Sequence, residues 1–449
     1  MLYSVSSITV GEIAQAVSGR ILLGDAGFEV NSVSTDSRTV EPSTLFVPIK
    51  GDRFDGHDFI DGVCKDAGCG YVCSNGKVNP GAAFVIEVDN TRKALLALAS
   101  YYRDRFDIRL IGLTGSVGKT TTKEFLASVV AQKYNTLSTK GNFNNDIGVP
   151  FTLFALNEST EVAVVEMGMS NFGEIEVLSL CAKPDIAVIT NIGTSHIEFL
   201  KSREGILKAK SEIFEGLKSG GKAVLNGDDP YLWSLRDKLG CKALYVGVEN
   251  TECDFVAQNI SCNENGCTFD CNGKKYVINL AGVHNIYNAL IAIAVGNLLD
   301  IGQEQVYNGL AAYRTDGIRQ NIIRTNGYKV INDCYNSSPQ SVVAELDVLS
   351  GIESERRIAV LGDMAELGDM APELHAEVGE AVRSRADVLV CVGTMSAHMI
   401  VGAGDTESYH FDTVEKAADF LKKFIRKGDA ILVKASRCMK FEKISEKII

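Results

Sequence analysis

The sequence lacks any apolar run of about 18 residues, the length a helix needs to cross a bilayer. Its first residues, MLYSVSSITVGEIAQAVSGR, carry no basic segment leading into an apolar stretch, so no secretory signal is expected. The expectation is a cytoplasmic protein without membrane insertion. Basic residues are in deficit: 45 Lys and Arg against 57 Asp and Glu leave a net charge of −12. That sign disfavours nucleic acid and anionic lipid surfaces as partners, and an anionic substrate would need a locally positive site. None of the 12 cysteines stands in a Cys-x-x-Cys pair. Cys253, Cys262, Cys267 and Cys271 have the wrong spacing for a zinc knuckle. Reduced thiols in cores and on strands are expected throughout. There is no repeat with a period of about 20–50 residues and no low-complexity tract.

What the sequence has is apolar material for several cores, 45% hydrophobic residues in 449, and a length that suits two to four domains at about 100–200 residues each. Three segments stand out. Residues 1–105 hold short strands (ILLGD, LFVPIK, AAFVIEV) and end in the apolar-periodic helix TRKALLALASYYRDRF. Residues 106–315 alternate strands such as DIRLIGLT, VAVVEMG and DIAVITNIG with helices. Residues 316–449 do the same with YKVINDCYN, RIAVLGD, DVLVCVG and AILVKAS. Alternation of this kind predicts parallel α/β sheets, and near-continuous apolar strands predict helices on both faces. Ligands of such sheets bind beyond the carboxyl ends of the strands. The segments that follow the strands, TGSVGKT, EMGMS, TNIGTSH, DCYNSSPQS and GDMAELGD among them, form two polar rims and predict a cleft between domains.

One stretch is specific. IGLTGSVGKTTTKE, Ile111 to Glu124, has the strand, glycine-rich turn and helix of a phosphate-binding loop. The usual spacing wants a glycine where Leu113 stands, so the loop is a variant. Gly115, Ser116, Val117 and Gly118 are expected to offer backbone N–H groups to phosphate oxygens. Lys119 would reach the outer phosphates and Thr120 would place its hydroxyl on Mg²⁺, with Thr121 beside it. Glu166 ends the apolar strand VAVVE, where a carboxylate can hold Mg²⁺.

T-G-S-x-G-K-T-T-T after a strand resembles the nucleotide loop of the Mur ligase family, which includes the folylpolyglutamate synthetases. GNFNNDIGVPFTL, VVEMGMS, TNIGTSHIEFL and HNIYNALIAIA are similar to family motifs and stand in family order. STDSRTVEPSTLFVPIKGDRFDGHDFI, DCYNSSPQS, LGDMAELGDMAPELH and LVKASR resemble the branch that adds D-alanyl-D-alanine. The resemblance spans nearly the whole chain. It implies an α/β fold of three domains: a small N-terminal UDP-substrate domain, a central P-loop ATPase domain with a parallel sheet, and a C-terminal Rossmann-like domain. It also implies an ATP-dependent amide ligase joining UDP-N-acetylmuramoyl-tripeptide to D-alanyl-D-alanine through an acyl phosphate and a tetrahedral intermediate, with two Mg²⁺ ions. A monomer is the family's expectation.

The resemblance also implies roles. His196 would help hold a second Mg²⁺, together with Lys210 after its carbamylation; Lys208 is close enough in the sequence to compete for that role. Asn288 would meet the adenine edge, and Asn144 and Asn145 would sit near the phosphates. Arg319 would reach the γ-phosphate, and Asp333 the ribose or the hinge. Tyr335, Asn336 and Ser338 would line the D-alanyl-D-alanine pocket. Ser34, Thr35, Asp36, Ser37 and Arg38 would hold uracil and diphosphate, with Arg53, Asp55 and His57 facing the peptide. Where the family usually has K-G-S-R this chain has Lys434, Ala435, Ser436 and Arg437. Two other readings are a different ligase of the family and a nucleotide switch that turns over without an acceptor. The guanine signature N-K-x-D is absent, and a second polar rim suits a second substrate better than a switch. The identity of the third peptide residue, lysine or a diamino-dicarboxylate, leaves no charge pattern in the sequence.

Overall fold

The computed structural model describes residues 2–51, 53–64, 68–314 and 320–449. Three major sheets follow one another along the chain. The first has six strands in the spatial order Leu2–Thr9, Glu29–Ser34, Thr44–Phe46, Gly70–Cys73, Val85–Glu87, Arg20–Leu23. Its inner pairings are parallel and its two edge pairings antiparallel. The helix Thr91–Asp104 then leads into the central unit, its first turn capped by the Asn90 side chain on the N–H groups of Arg92 and Lys93.

The central sheet has seven strands, all parallel. Arg109–Thr114 lies between Ile186–Ile189 and Val162–Glu166. The chain fills one side of Arg109–Thr114 first and then crosses to the other, so the crevice beyond Thr114 is a topological switch point. The strands VAVVE and IAVI are buried at every position, because helices cover both faces. A three-stranded antiparallel sheet, Gln258–Asn263, Gly266–Cys271 and Lys274–Ile278, follows it. There the expectation of reduced thiols is corrected at one pair. Cys262 and Cys267 face each other across the first hairpin and are disulfide-bonded; the turn at Glu264 and Asn265 brings them together. The other ten cysteines are free thiols.

The third sheet has the order Asn321–Thr325, Tyr328–Asp333, Asp429–Lys434, Arg356–Gly362, Val388–Val392, Glu407–Phe411. It is parallel except for its first hairpin. Among the described residues no helix is long and apolar enough to cross a membrane.

The first and central units are tied by buried polar groups as well as apolar packing. Arg103 is 3% exposed and donates to the carbonyls of Ala182, Phe106 and Ile108 at 2.9, 3.2 and 3.5 Å. Tyr102 donates to Leu156 O at 3.0 Å and accepts from the Ser6 N–H at 2.9 Å. Arg103→Ala would strand three carbonyls in a dry interface. It is expected to lower stability by about 3 kcal/mol, read from the first unfolding transition in denaturant; a loss below about 0.5 kcal/mol would show that water replaces the guanidinium.

Candidate functional site

The phosphate loop leaves the strand Arg109–Thr114 and enters the helix Lys119–Val130. Its conformation needs two glycines. Gly115 has φ +155°, and a Cβ there would lie 1.8 Å from Thr190 Oγ1. Gly118 has φ +83°, and its Cβ would lie 2.7 Å from Asn288 Oδ1. Gly115→Ala is therefore expected to displace the loop and cut turnover about 10²-fold; steady-state rates within about twofold of wild type would contradict the close approach.

The loop is braced from the adjacent strand end. Asn191 accepts from Ser116 N–H through its carbonyl (3.1 Å) and from Val117 N–H through its side chain (2.9 Å). Thr190 and Asn191 side chains donate to Val117 O at 2.7 and 3.0 Å, and Gly193 N–H donates to Ser116 Oγ at 2.9 Å. The N–H groups of Ser116 and Val117 are engaged by this brace. The donors that remain for an anion are those of the helix's first turn, Gly118 to Thr121, which have no intrahelical acceptor. Lys119 Nζ folds back to Gly115 O at 2.8 Å.

Around this loop lies an open cleft of about 340 Å³, within the range of small-molecule sites. Of the residues expected in the site, Ser116 to Thr121, Asn144, Asn145, Glu166, His196, Asn288, Asp333, Tyr335, Asn336 and Ser338 all line it. They come from both the central and the C-terminal units. Gly115 and Lys210 do not line the cleft. Arg319 falls outside the described residues. The group at Ser34, Thr35, Asp36, Ser37 and Arg38 and the group at Arg53, Asp55 and His57 lie in the first unit and do not line this cleft. They make their own turns. Arg38 pairs with Asp36 through two bonds of 2.8 Å and holds that carboxyl below the usual range, the Arg38 side-chain bond being the largest cause. His57 Nδ1 lies 2.6 Å from Asp55 Oδ1.

Hard oxygen donors gather beside the loop. Thr120 Oγ1 donates to Glu166 Oε2 at 3.1 Å, and Asn144 Nδ2 to Glu166 Oε1 at 2.8 Å. Glu166 is 2% exposed. One carboxylate and one hydroxyl facing a phosphate loop fit Mg²⁺, which takes few protein ligands and completes its shell with phosphate oxygens and water. Among the described residues no three His, Cys, Asp or Glu side chains are grouped to hold a metal alone, so the ion would need the nucleotide.

His196 sits at φ +65°, at the start of the short helix Ile197–Leu200. Its Nδ1 lies 2.5 Å from Oε2 of Glu366 in the C-terminal unit, and that contact holds the Glu366 carboxyl below the usual range. A carboxylate on one ring nitrogen orients the other toward a ligand. Lys210 is 1% exposed, whereas Lys208 is exposed and stands over the Phe172 ring. Burial first, and the charge of Lys119 second, push the Lys210 ammonium well below the usual lysine range.

Asn288 is buried in the wall with both ends of its amide engaged, accepting from Thr122 Oγ1 and donating to Asn285 Oδ1. On the C-terminal rim, Lys434 (2% exposed) reaches Asp333 at 2.5 Å and Asn336 O at 2.9 Å, and the Arg437 guanidinium lies over the Tyr335 ring. Further residues shape the site. Thr190, Asn191 and Glu366 lie inside the quoted strand-end motifs, as does Gln340, which accepts from Thr194, and Asn285 lies inside the helix motif HNIYNALIAIA, so position is the signal for each. Gln320 and Glu345 had none.

Three family models match the chain: "Mur ligase family, catalytic domain" over residues 29–103, "Mur ligase middle domain" over 113–296, and "Mur ligase, glutamate ligase domain" over 318–437. The chain is 40% identical to the UDP-N-acetylmuramoyl-tripeptide–D-alanyl-D-alanine ligase of Bacillus subtilis strain 168, over 98% of each chain. Among solved structures it is similar to MurF of Acinetobacter baumannii, with a TM-score of 0.93, 29% identity and 99% of each chain covered. It is also similar to the MurF ligase of Thermotoga maritima in complex with ADP, with a TM-score of 0.83 and 29% identity, over 93% of this chain and 96% of that one.

Proposed function

The chain belongs to the Mur ligase family, and from that premise we propose that it joins D-alanyl-D-alanine to UDP-N-acetylmuramoyl-tripeptide with ATP, giving ADP, phosphate and the pentapeptide. The observation that carries the reading is the cleft itself. A phosphate loop with its oxygen donors and a second polar rim from another unit face one space, as a reaction between a nucleotide and two further substrates requires. A carboxylate is a poor electrophile. Transfer of the γ-phosphoryl group to it supplies a leaving group, the dipeptide amine attacks the acyl carbon, and the tetrahedral intermediate expels phosphate.

The residues divide this work. The first-turn N–H groups and Lys119 hold the phosphates and offset their charge. Thr120 and Glu166 would hold one Mg²⁺, which supplies charge neutralisation between γ-phosphate and carboxylate. His196, oriented by Glu366, would serve a second ion together with Lys210. Burial favours the neutral form of the Lys210 amine, and that form can add to CO₂: an N–C bond forms, a proton leaves, and a carbamate with two oxygens results. The burial of Lys210 and the exposure of Lys208 favour Lys210 for this modification. Asp333 stands at the nucleotide rim. Tyr335, Asn336 and Ser338 form the rim for the dipeptide, with Arg319 supplying a further phosphate contact. Residues 1–105, with the turns at Ser34–Arg38 and Arg53–His57, take the UDP-sugar; 106–315 take ATP and 316–449 the dipeptide. Soluble substrates of this kind place the reaction in the cytoplasm. Mass spectrometry of the full reaction tests the reading. The expected product is the UDP-substrate heavier by the dipeptide less water; unchanged UDP-substrate under turnover of ATP would refute it.

A further inference from the structure

Four hydrogen bonds run in series from the phosphate-loop helix to the C-terminal unit. Thr122 Oγ1 donates to Asn288 Oδ1 at 2.9 Å, and Asn288 Nδ2 to Asn285 Oδ1 at 3.1 Å. Asn285 Nδ2 then donates to Gln320 Oε1 at 2.9 Å, and Gln320 Nε2 to Glu345 Oε1 at 3.2 Å. The amide directions are fixed by a backbone carbonyl: Asn285 Nδ2 and Gln320 Nε2 both donate to Ala281 O, at 2.8 and 2.9 Å. Every donor therefore points the same way, and bonds aligned head to tail in a dry wall polarise and strengthen one another. All five side chains belong to buried residues. At one end, Asn288 Oδ1 lies against Gly118 of the loop. At the other, Glu345 is carried by the helix Pro339–Ser350 of the C-terminal unit. It lines the nucleotide cleft, and its Oε2 is buried with no hydrogen-bond partner.

We propose that Glu345 is a positioning residue of the nucleotide pocket: it anchors this chain of bonds to the C-terminal unit, so that the docking of that unit sets Asn288 against the phosphate loop. The proposal rests on the reading of the cleft as an ATP site. It gives docking of the C-terminal unit a physical route to the phosphate loop, through buried side chains of the cleft wall.

The carboxyl works in its neutral form. It is faced by His284 from the helix Val283–Leu298, with Nε2 3.7 Å away, by Gln320, and by the charges of Asp333 and Lys434 at the ends of two C-terminal strands. Asp347, on its own helix, acts on His284. Burial, and then the negative charge of Asp333, push Glu345 up to about 8, while Lys434 and the Gln320 bond pull the other way. His284 is pushed down to about 4 by burial, so it brings no compensating charge. The phosphates of ATP add further negative charge to the cleft and favour the neutral carboxyl more. ATP binding then takes up a proton once the free carboxyl begins to ionise, and affinity falls as pH rises through about 8.

Calorimetric titration of the full chain with ATP and Mg²⁺, from one pH unit below that value to one above, tests this. Wild type is expected to lose roughly tenfold in affinity across the range. E345Q keeps an acceptor for Gln320, so it should hold the neutral-pH affinity and lose the pH dependence. E345L removes the acceptor; it should bind ATP about tenfold more weakly at neutral pH with UDP-substrate affinity unchanged. If E345L fails to fold, the wild type and E345Q profiles decide alone. The proposal is overturned if those two profiles coincide, or if E345Q binds ATP as poorly as E345L. Wild type that binds no ATP at any pH overturns the ATP site and this proposal together; normal binding with coincident profiles leaves the ATP site standing and removes only the role of Glu345.

Discussion

Lys119→Ala is expected to lower ATP-dependent phosphate release about 10³-fold while leaving affinity for the UDP-substrate within about twofold. The basis is the division of labour between units. Lys119 Nζ now rests on Gly115 O, and only a short swing separates it from phosphates seated on the first-turn N–H groups. No other lysine or arginine among the described residues lining the cleft comes from the phosphate loop. The turns assigned to the UDP-sugar lie in the first unit and do not line the cleft that Lys119 lines. Calorimetry with each ligand separately checks both halves. Loss of UDP-substrate binding along with turnover would show that the two sites are one.

Lys210 should give a result of mixed sign. Lys210→Met keeps the length of the side chain and removes an amine that no acidic group pairs with among the described residues. Activity is expected to fall about 10³-fold, because no carbamate forms. Stability is expected to rise, because a buried unpaired amine is replaced by an apolar side chain. The pH dependence follows from the lowered ammonium pKa of the unmodified chain. The unfolded lysine binds its proton up to its ordinary value of 10.5, whereas the folded one releases it well below that. Stability from this group therefore rises with pH through that window and is lost as pH falls through the folded value. Thermal melts across pH should show that slope in the wild type prepared free of CO₂ and not in the variant. Full activity in Lys210→Met would remove the carbamate from the account.

Much of this site is legible in the sequence because its chemistry constrains the backbone. A loop that wraps phosphate needs Gly115 and Gly118, and a buried parallel sheet needs runs such as VAVVE and IAVI. The edge strand Leu2–Thr9 was not legible: LYSVSSIT carries serines on an antiparallel edge, where only part of the strand faces a core. The brace from Asn191 was hidden by distance, 74 residues from the loop it holds. Glu345 has no motif around it in the sequence, and its burial comes with neighbours distant along the chain, Gln320 and His284 among them. The Cys262–Cys267 bond likewise depends on a hairpin register that spacing alone does not reveal. The assignments that came through resemblance, at Lys210 and His196 above all, depend on groups distant in sequence: the charge of Lys119 within the same unit on one and the Glu366 carboxylate of the C-terminal unit on the other.

The central claim is that this ATP site serves amide formation between two further substrates. Phosphate release from ATP and Mg²⁺, with UDP-N-acetylmuramoyl-tripeptide and D-alanyl-D-alanine supplied singly and together, tests it most directly. Release is expected only when both are present. Release at the same rate with neither would contradict it and leave a nucleotide hydrolase that the second polar rim does not explain.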